Sequence, residues 1–110
     1  MVKIKMNEGD GVISLELDGH AEQAKEGEDI VCSACSILVY TVAQIVKLED
    51  HNRKMKSPPT VILEPGKAVI SCEPVDEIYN EIFHAFYVAE VGYLLLARNY
   101  PQFVELKMFD

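Results

Sequence analysis

The chain has few basic residues, and this shortage excludes one class of partner. Ten Lys and Arg residues stand against 18 Asp and Glu residues, which gives a net charge of -8 at pH 7. Direct binding of nucleic acid needs a basic patch, so we expect no direct nucleic-acid contact. An acidic surface suits a basic protein or peptide as partner, although acidity also serves solubility alone.

Cysteines are also few, and long apolar runs are missing. The three cysteines are an odd number and show no disulfide framework of the secreted type. We find no signal peptide and no apolar run long enough to cross a bilayer. The expectation is therefore a cytoplasmic protein with reduced thiols and no membrane contact. With 110 residues, 49% of them hydrophobic, the chain fits one globular domain over 1–110.

Apolar periodicity predicts five strands and two helices. Alternation over 2–6 and 13–17 predicts a β-hairpin around a turn at 7–11. The other predicted elements are a helix over about 30–47, a loop over 49–57, strands over 60–63 and 67–73, a helix over about 75–98 and a strand over 104–108. The order ββαββαβ favours an α+β two-layer sandwich, with a mostly antiparallel sheet carrying both helices on one face.

Each helix has more apolar surface than one sheet face can cover. For the first helix we predict a core stripe at Ala34, Ile37, Leu38, Thr41, Ile45 and Leu48. A second apolar stripe of that helix runs through Cys35, Val39, Val42 and Val46. For the second helix we predict a core stripe at Ile78, Ile82, Phe86, Ala89, Tyr93 and Leu96. The surplus apolar surface predicts a homodimer.

The start of the first helix is the predicted site of chemistry. Asp29 is a suitable N-cap residue, and Cys32 follows about one turn later. Free N–H groups and the positive end of the helix dipole favour a thiolate there, and the thiolate is the nucleophile. His20 lies upstream, so the pair predicts a thiol protease-like dyad with Cys32 as nucleophile and His20 as base. A buried cysteine and a loop histidine that never meet is the alternative.

Several neighbours have predicted supporting roles. The backbone N–H groups of Cys32 and Ser33 would hold an oxyanion. Ser36 lies one turn after Cys32 on the same helix face and would bond the thiolate or the substrate, unless its role is structural. The polar segment from Gly19 to residue 28 is expected to be a mobile loop, with Gly27 as a hinge.

Other chemistries have weaker support in the sequence. Cys32 and Cys35 have the C-x-x-C spacing of a thioredoxin-like redox site, but a hairpin rather than a βαβ unit comes before the helix. A zinc site lacks a second ligand pair, and the single E-x-x-H at Glu81 and His84 is too little for a dimetal bundle. We therefore expect no metal and no cofactor, and we expect Cys72 in the core.

The motif G-H-A at 19–21, followed by D-x-V-C-x-x-x-S at 29–36, resembles the ribosomal-processing cysteine protease family called Prp. The resemblance extends over the whole chain, including the break at Tyr100-Pro101 before the last strand. It implies a small dimeric protease that removes a short N-terminal extension from a large-subunit ribosomal protein precursor. It also implies that His20 and Cys32 form the dyad and that the loop between them orders over the substrate.

The resemblance has one departure, and two other functions stay open. At the position of Cys35 the Prp family commonly has an aliphatic residue, and a second thiol makes a disulfide conceivable. A non-catalytic dimeric ribosome-associated binding protein is the first alternative function. A C-x-x-C redox protein that uses Cys32 and Cys35 is the second.

Overall fold

The computed structural model describes residues 1–19 and 28–107, without the side chains of residues 28 and 29. The elements are β1 (Val2–Gly9), β2 (Val12–Asp18), α1 (Glu28–His51), β3 (Thr60–Glu64), β4 (Lys67–Cys72), α2 (Tyr79–Asn99) and β5 (Val104–Lys107). A short 3-10 turn, Asp76–Ile78, leads into α2. The predicted α+β class and the order ββαββαβ are confirmed.

The five strands form one sheet in the order β3-β4-β2-β1-β5. Three of the four strand pairs are antiparallel, and β1 and β5 are parallel. The first hairpin is tighter than predicted, because β1 continues through the expected turn to Gly9, which pairs with Val12. Asp10 and Gly11 have φ angles of 55° and 81°. Positive φ at both central residues fits a two-residue type I′ turn, whose twist matches that of the strands.

One face of the sheet is apolar and covered by the helices. Alternate strand residues are buried on this face, namely Val2, Ile4, Met6, Ile13, Leu15, Ala68, Ile70, Cys72 and Val104. Cys72 therefore lies in the core, as predicted. The other face is polar over β1 and β2, where cross-strand neighbours have opposite charge, such as Lys3 with Asp18 and Lys5 with Glu16. This division of the two faces explains the strict apolar alternation of β1 and β2.

The buried face of α1 differs from the prediction. The buried side chains are those of the second stripe with two neighbours, namely Val31, Cys35, Val39, Val42, Ala43 and Val46. Ile37 and Leu48, predicted as core, are 63% and 56% exposed. Both stripes are apolar, so the helical period alone could not rank them. The stripe that packs inward has the smaller side chains, which allow a close approach to the sheet and to α2.

α1 is also longer than predicted at both ends. Residues 49–51 were expected in a loop, but no Gly or Pro interrupts them, and the helix continues to His51. At the other end the described helix begins at Glu28, so Asp29 lies within the first turn rather than at the cap. After the helix, Arg53 has a φ of 61°, and the Lys56 N–H donates to the Glu73 carbonyl. Part of the predicted loop is thus fastened to the chain before α2.

One expectation about membranes needs correction. The stretch Ile30–His51 of α1 has 22 residues and is long and apolar enough to cross a bilayer by length and composition alone. The helix that fills the core of a globular protein meets the same criterion. In this chain one side of the stretch packs on the sheet, with Val39 and Val46 fully enclosed.

α2 agrees with its predicted stripe. Its buried residues are Ile82, Phe86, Ala89, Glu90 and Tyr93. The predicted start at 75 is corrected, because the 3-10 turn comes first and the α-helix begins at Tyr79. α2 lies close to α1 at Gly92, where an added Cβ would be 2.8 Å from Leu38 Cδ1. The two helices therefore form one layer with little space between them.

Candidate active site

A pocket of about 180 Å³ opens where the first half of α1 meets one end of the sheet. α1 supplies Cys32, Cys35, Ser36, Val39 and Tyr40 to its wall. The sheet supplies the β3–β4 turn with the adjoining strand residues (63–68), the end of β2 at Leu17 and Gly19, and Val2 from β1. The predicted nucleophile therefore lies in a cleft between a helix and a β-turn, which is a suitable place for a peptide.

Cys32 is a free, half-exposed thiol in this pocket. It is the fifth residue of the described helix, and the N–H groups that lack a helical partner are those of the first four residues. In a regular helix that begins at Glu28, the N–H groups of Cys32 and Ser33 have carbonyl partners. Their role in holding an oxyanion therefore stays a prediction.

The other two cysteines are buried. Burial raises the pKa of Cys35 to about 12, and the neighbouring Cys32 adds to the rise. Burial also raises the pKa of Cys72 to about 12. Both therefore stay protonated at neutral pH, and a thiol is a much weaker nucleophile than a thiolate. Cys32 is the one cysteine of the three with access to solvent.

Gly19 fixes the end of β2 at the edge of the pocket. Its φ is 108°, and an added Cβ would overlap the carbonyl oxygen of Met1. Its N–H donates a 2.9 Å hydrogen bond to the Gly66 carbonyl, so the strand end is fastened to the β3–β4 turn. Only glycine fits both the conformation and the close approach. The residue that comes directly before His20 is thus held beside the pocket that contains Cys32.

Of the remaining predicted site residues that the structure describes, only some lie in the pocket with Cys32. Ser36 lines the pocket one helical turn after Cys32, whereas Ser33 is exposed and not among the lining residues. His20 and Gly27 lie outside the described residues, as does the side chain of Asp29. Whether His20 contacts Cys32 and whether Gly27 acts as a hinge are therefore still predictions.

Metal ligation finds no support in the described part of the chain. No group of three His, Cys, Asp or Glu side chains there has the geometry to hold an ion. His84 of the E-x-x-H motif is exposed and lies beside the ring of Tyr87, with centroids 5.9 Å apart. The motif is therefore part of a surface face of α2.

Two features of the site were missed from the sequence. The Tyr93 hydroxyl, fully buried, donates a 3.0 Å hydrogen bond to the Cys35 carbonyl. Burial raises the pKa of Tyr93, so this group remains a donor. A tyrosine within an otherwise apolar stripe was the available signal, because a buried hydroxyl needs a partner. The β3–β4 turn was predicted as a turn, but not as a wall of the pocket.

Comparison with known families decides the class of the site. The model of the family described as cysteine protease Prp matches residues 1–105. The chain belongs to the cysteine protease Prp family. The resemblance to the Prp family found in the sequence is thereby confirmed, and with it the class of enzyme, a cysteine protease.

Solved structures share the fold of this Prp family member. A protein of S. aureus, an essential ribosomal processing protease Prp in complex with a substrate peptide, is 19% identical with a TM-score of 0.70, and all of both chains is covered. The same S. aureus protease with a covalently linked product peptide is 20% identical with a TM-score of 0.68, again over all of both chains. A protein of Streptococcus mutans is 23% identical with a TM-score of 0.71, over 100% of this chain and 99% of that one. No curated protein matches the chain. At these identities the structural likeness establishes the fold alone.

Proposed function

We propose that the protein is an endopeptidase that removes a short N-terminal extension from a large-subunit ribosomal protein precursor during ribosome assembly. The observation that carries the proposal is the half-exposed thiol of Cys32 within a pocket of a Prp family member. The proteins of S. aureus that share the fold were described with a substrate peptide and with a covalently linked product peptide. A peptide held covalently is what a nucleophilic cysteine would produce.

The proposed mechanism uses Cys32 as nucleophile and His20 as general base. His20 takes the proton of the thiol, and the Cys32 sulfur attacks the scissile carbonyl to form a tetrahedral intermediate. The intermediate collapses when His20 donates a proton to the leaving amine, and water then hydrolyses the acyl-enzyme. Gly19 supports this assignment, because its bond to Gly66 holds the chain at the pocket directly before His20.

The substrate side of the proposal is supported by charge and by the shape of the pocket. A net charge of -8 favours association with a basic ribosomal protein. Val2, Leu17 and Leu63 give the pocket apolar walls that suit apolar residues of a peptide. We also propose a cytoplasmic location, where ribosomes assemble and where free cysteines persist.

We further propose that the active form is a homodimer. The outward faces of α1 and α2 leave large apolar side chains in solvent, including Ile37, Leu48, Val88 and Leu95. Apolar side chains grouped on one face in this way are typical of an interface between subunits. On the opposite side of the molecule, the outer face of β1 and β2 is charged and less suited to such a contact.

The direct test incubates the protein with the ribosomal protein precursor and follows cleavage by intact mass. The parent should remove the extension, and both Cys32→Ala and His20→Ala should leave the precursor whole. Cys72→Ala and His51→Ala are matched controls. Cys72 is buried in the core, and His51 lies at the far end of α1. A Cys32→Ala variant that cleaves at the parent rate would refute the assignment.

The same assay separates the proposal from its first alternative, a non-catalytic binding protein. A binding protein would retain the precursor without changing its mass, and its Cys32 would react poorly with iodoacetamide at neutral pH. An endopeptidase should release the extension and lose activity in step with alkylation of Cys32.

A further inference from the structure

A second thiol lies beside the proposed nucleophile. Cys32 and Cys35 are three residues apart on α1, and both side chains line the same pocket. Three residues along an α-helix separate Cα atoms by about 5 Å. Disulfides accept Cα separations of roughly 4.4–6.8 Å, so the backbone of α1 is compatible with a bond between these two sulfurs.

The two thiols differ in exposure in a way that gives each a separate role. Cys32 is half-exposed and accessible to a small oxidant in the pocket, whereas Cys35 is 2% exposed. The raised pKa of Cys35 keeps it a neutral thiol, so oxidant is expected to reach and oxidise Cys32 first. Cys72 lies on β4, does not line this pocket and is equally buried. It therefore serves as an internal control.

We propose that Cys35 is a resolving thiol, which pairs with Cys32 in a reversible disulfide when a hydroperoxide oxidises the nucleophile. The inference deepens the proposed function, since the sulfur that is blocked is the one that would cleave the substrate. The disulfide makes the protease inactive under oxidising conditions and protects its nucleophile from irreversible oxidation.

The chemistry proceeds in two balanced steps. The Cys32 sulfur attacks the terminal oxygen of the hydroperoxide, the O–O bond breaks, an alcohol or water leaves, and the sulfur becomes a sulfenic acid. The Cys35 sulfur then attacks the Cys32 sulfur, the S–O bond breaks, and the departing hydroxide takes the Cys35 proton as water. A dithiol reductant reverses the result by thiol–disulfide exchange and restores both thiols.

The backbone beside the proposed bond is held in place. The Cys35 carbonyl is held by the Tyr93 hydroxyl at 3.0 Å, so the backbone at the resolving residue is fixed. Cys32 is in the second turn of the helix, and its side chain lines the pocket. Because the Cα separation in a regular helix already suits a disulfide, the proposed bond requires rotation of the two side chains and no change in the helix backbone.

The experiment treats the whole protein with hydrogen peroxide, alkylates free thiols and maps tryptic peptides. Cys32 and Cys35 fall in one peptide, 26–47, and Cys72 falls in another, 68–98. After peroxide the first peptide should lose the mass of two hydrogens and resist alkylation, while Cys72 still alkylates once the protein is denatured. Dithiothreitol should return both thiols. Added oxygen on Cys32 instead of the mass loss, or a disulfide between two chains, would overturn the proposal.

Variants test whether Cys35 protects Cys32 from irreversible oxidation. For each variant, the peroxide-treated protein is compared with an untreated sample of the same variant. The Cys35→Ala variant should accumulate stable oxygen adducts on Cys32 that dithiothreitol does not remove. Cys35→Val should give the same result and leaves a smaller void in the core. Cys72→Ala should behave as the parent. Equal recovery of Cys32 in all variants would refute a resolving role for Cys35. The mass readout does not need cleavage, so a disulfide in a protein that cuts no precursor would leave this pairing standing while the proposed function fails.

Discussion

The Tyr93 hydroxyl donates a hydrogen bond to the Cys35 carbonyl and so joins the middle of α2 to the first turns of α1. The contact is fully buried, and it is three residues from the proposed nucleophile. A buried hydrogen bond is directional, whereas the surrounding apolar contacts are not. It therefore ties the backbone at Cys35, one helical turn from Cys32, to α2.

Tyr93→Phe tests this contact. The variant keeps the ring and loses one hydrogen bond, while the Cys35 carbonyl keeps its helical partner, so we expect a loss of about 1 kcal/mol in the free energy of unfolding. Urea denaturation gives the value from the shift in midpoint. Tyr87→Phe is the control, because that ring is 46% exposed and its hydroxyl should contribute little. Equal midpoints for both variants would mean that the buried bond adds no stability.

Gly19→Ala tests the strand end beside the pocket. A Cβ at this position would overlap the Met1 carbonyl, and the φ of 108° is unfavourable for any residue with a side chain. We therefore expect the variant to lose roughly 1–3 kcal/mol in the free energy of unfolding and to displace residue 20. Gly9→Ala is the matched control, because it has no atom within 4 Å of an added Cβ. We expect peptidase activity to fall in the first variant only. Two variants of equal activity and stability would contradict the role of Gly19.

The buried cysteines predict a loss of stability at alkaline pH. The pKa of Cys35 rises from its ordinary 9.0 to about 12 on folding, and that of Cys72 rises likewise. Between about pH 9 and pH 12 the unfolded chain has lost these protons and the folded chain has not. Their contribution is thus complete below pH 9 and disappears as pH rises towards 12. Burial of Tyr93 acts in the same direction.

Urea midpoints measured from pH 8 to pH 11 would give this slope. The double variant Cys35→Ala, Cys72→Ala starts from lower stability, but its midpoint should decrease less steeply above pH 9 than that of the parent. A parallel decrease in the two proteins would assign the alkaline loss to other groups.

The outward face of the helices predicts a subunit interface. Ile37→Asp introduces charge at a side chain that is 63% exposed in the single chain. We expect it to convert a dimer into a monomer with little change in the intrinsic stability of each subunit, because no core contact is lost. Light scattering after size exclusion measures the mass. Lys5→Glu, on the outer face of the sheet, is the control and should keep the mass of the parent. A parent that elutes as a monomer would refute the homodimer.

The strands were predictable from the sequence because one face of the sheet is covered and the other is not. Because of that asymmetry, apolar and polar residues alternate along β1 and β2, and Asp10-Gly11 marks the turn between them. The buried side of α1 could not be predicted in the same way, since Val39 and Ile37 belong to stripes of similar apolarity. What separates the two stripes is the shape of the surface beneath them, which only the folded sheet and α2 supply.

The site was predictable to the extent that it is local. The start of a helix near Cys32 follows from neighbouring residues, and so does the glycine that precedes His20. The wall at Pro65 and Gly66 depends on β4 pairing with β2, which are about fifty residues apart in sequence. The Tyr93 contact joins residues 58 apart. Periodicity carries no information about which distant elements meet, so these partners emerge only from the fold.

The parallel pairing of β1 with β5 has a consequence for how the chain folds. Val2 lies opposite Val104, so the partners at this edge come from nearly opposite ends of the sequence. Closing a loop of that length is entropically costly, and folds dominated by distant pairings form slowly. On the ribosome, β1 therefore lacks its second neighbour until β5 has been synthesised. Until β5 is available, the nascent chain exposes one flank of β1.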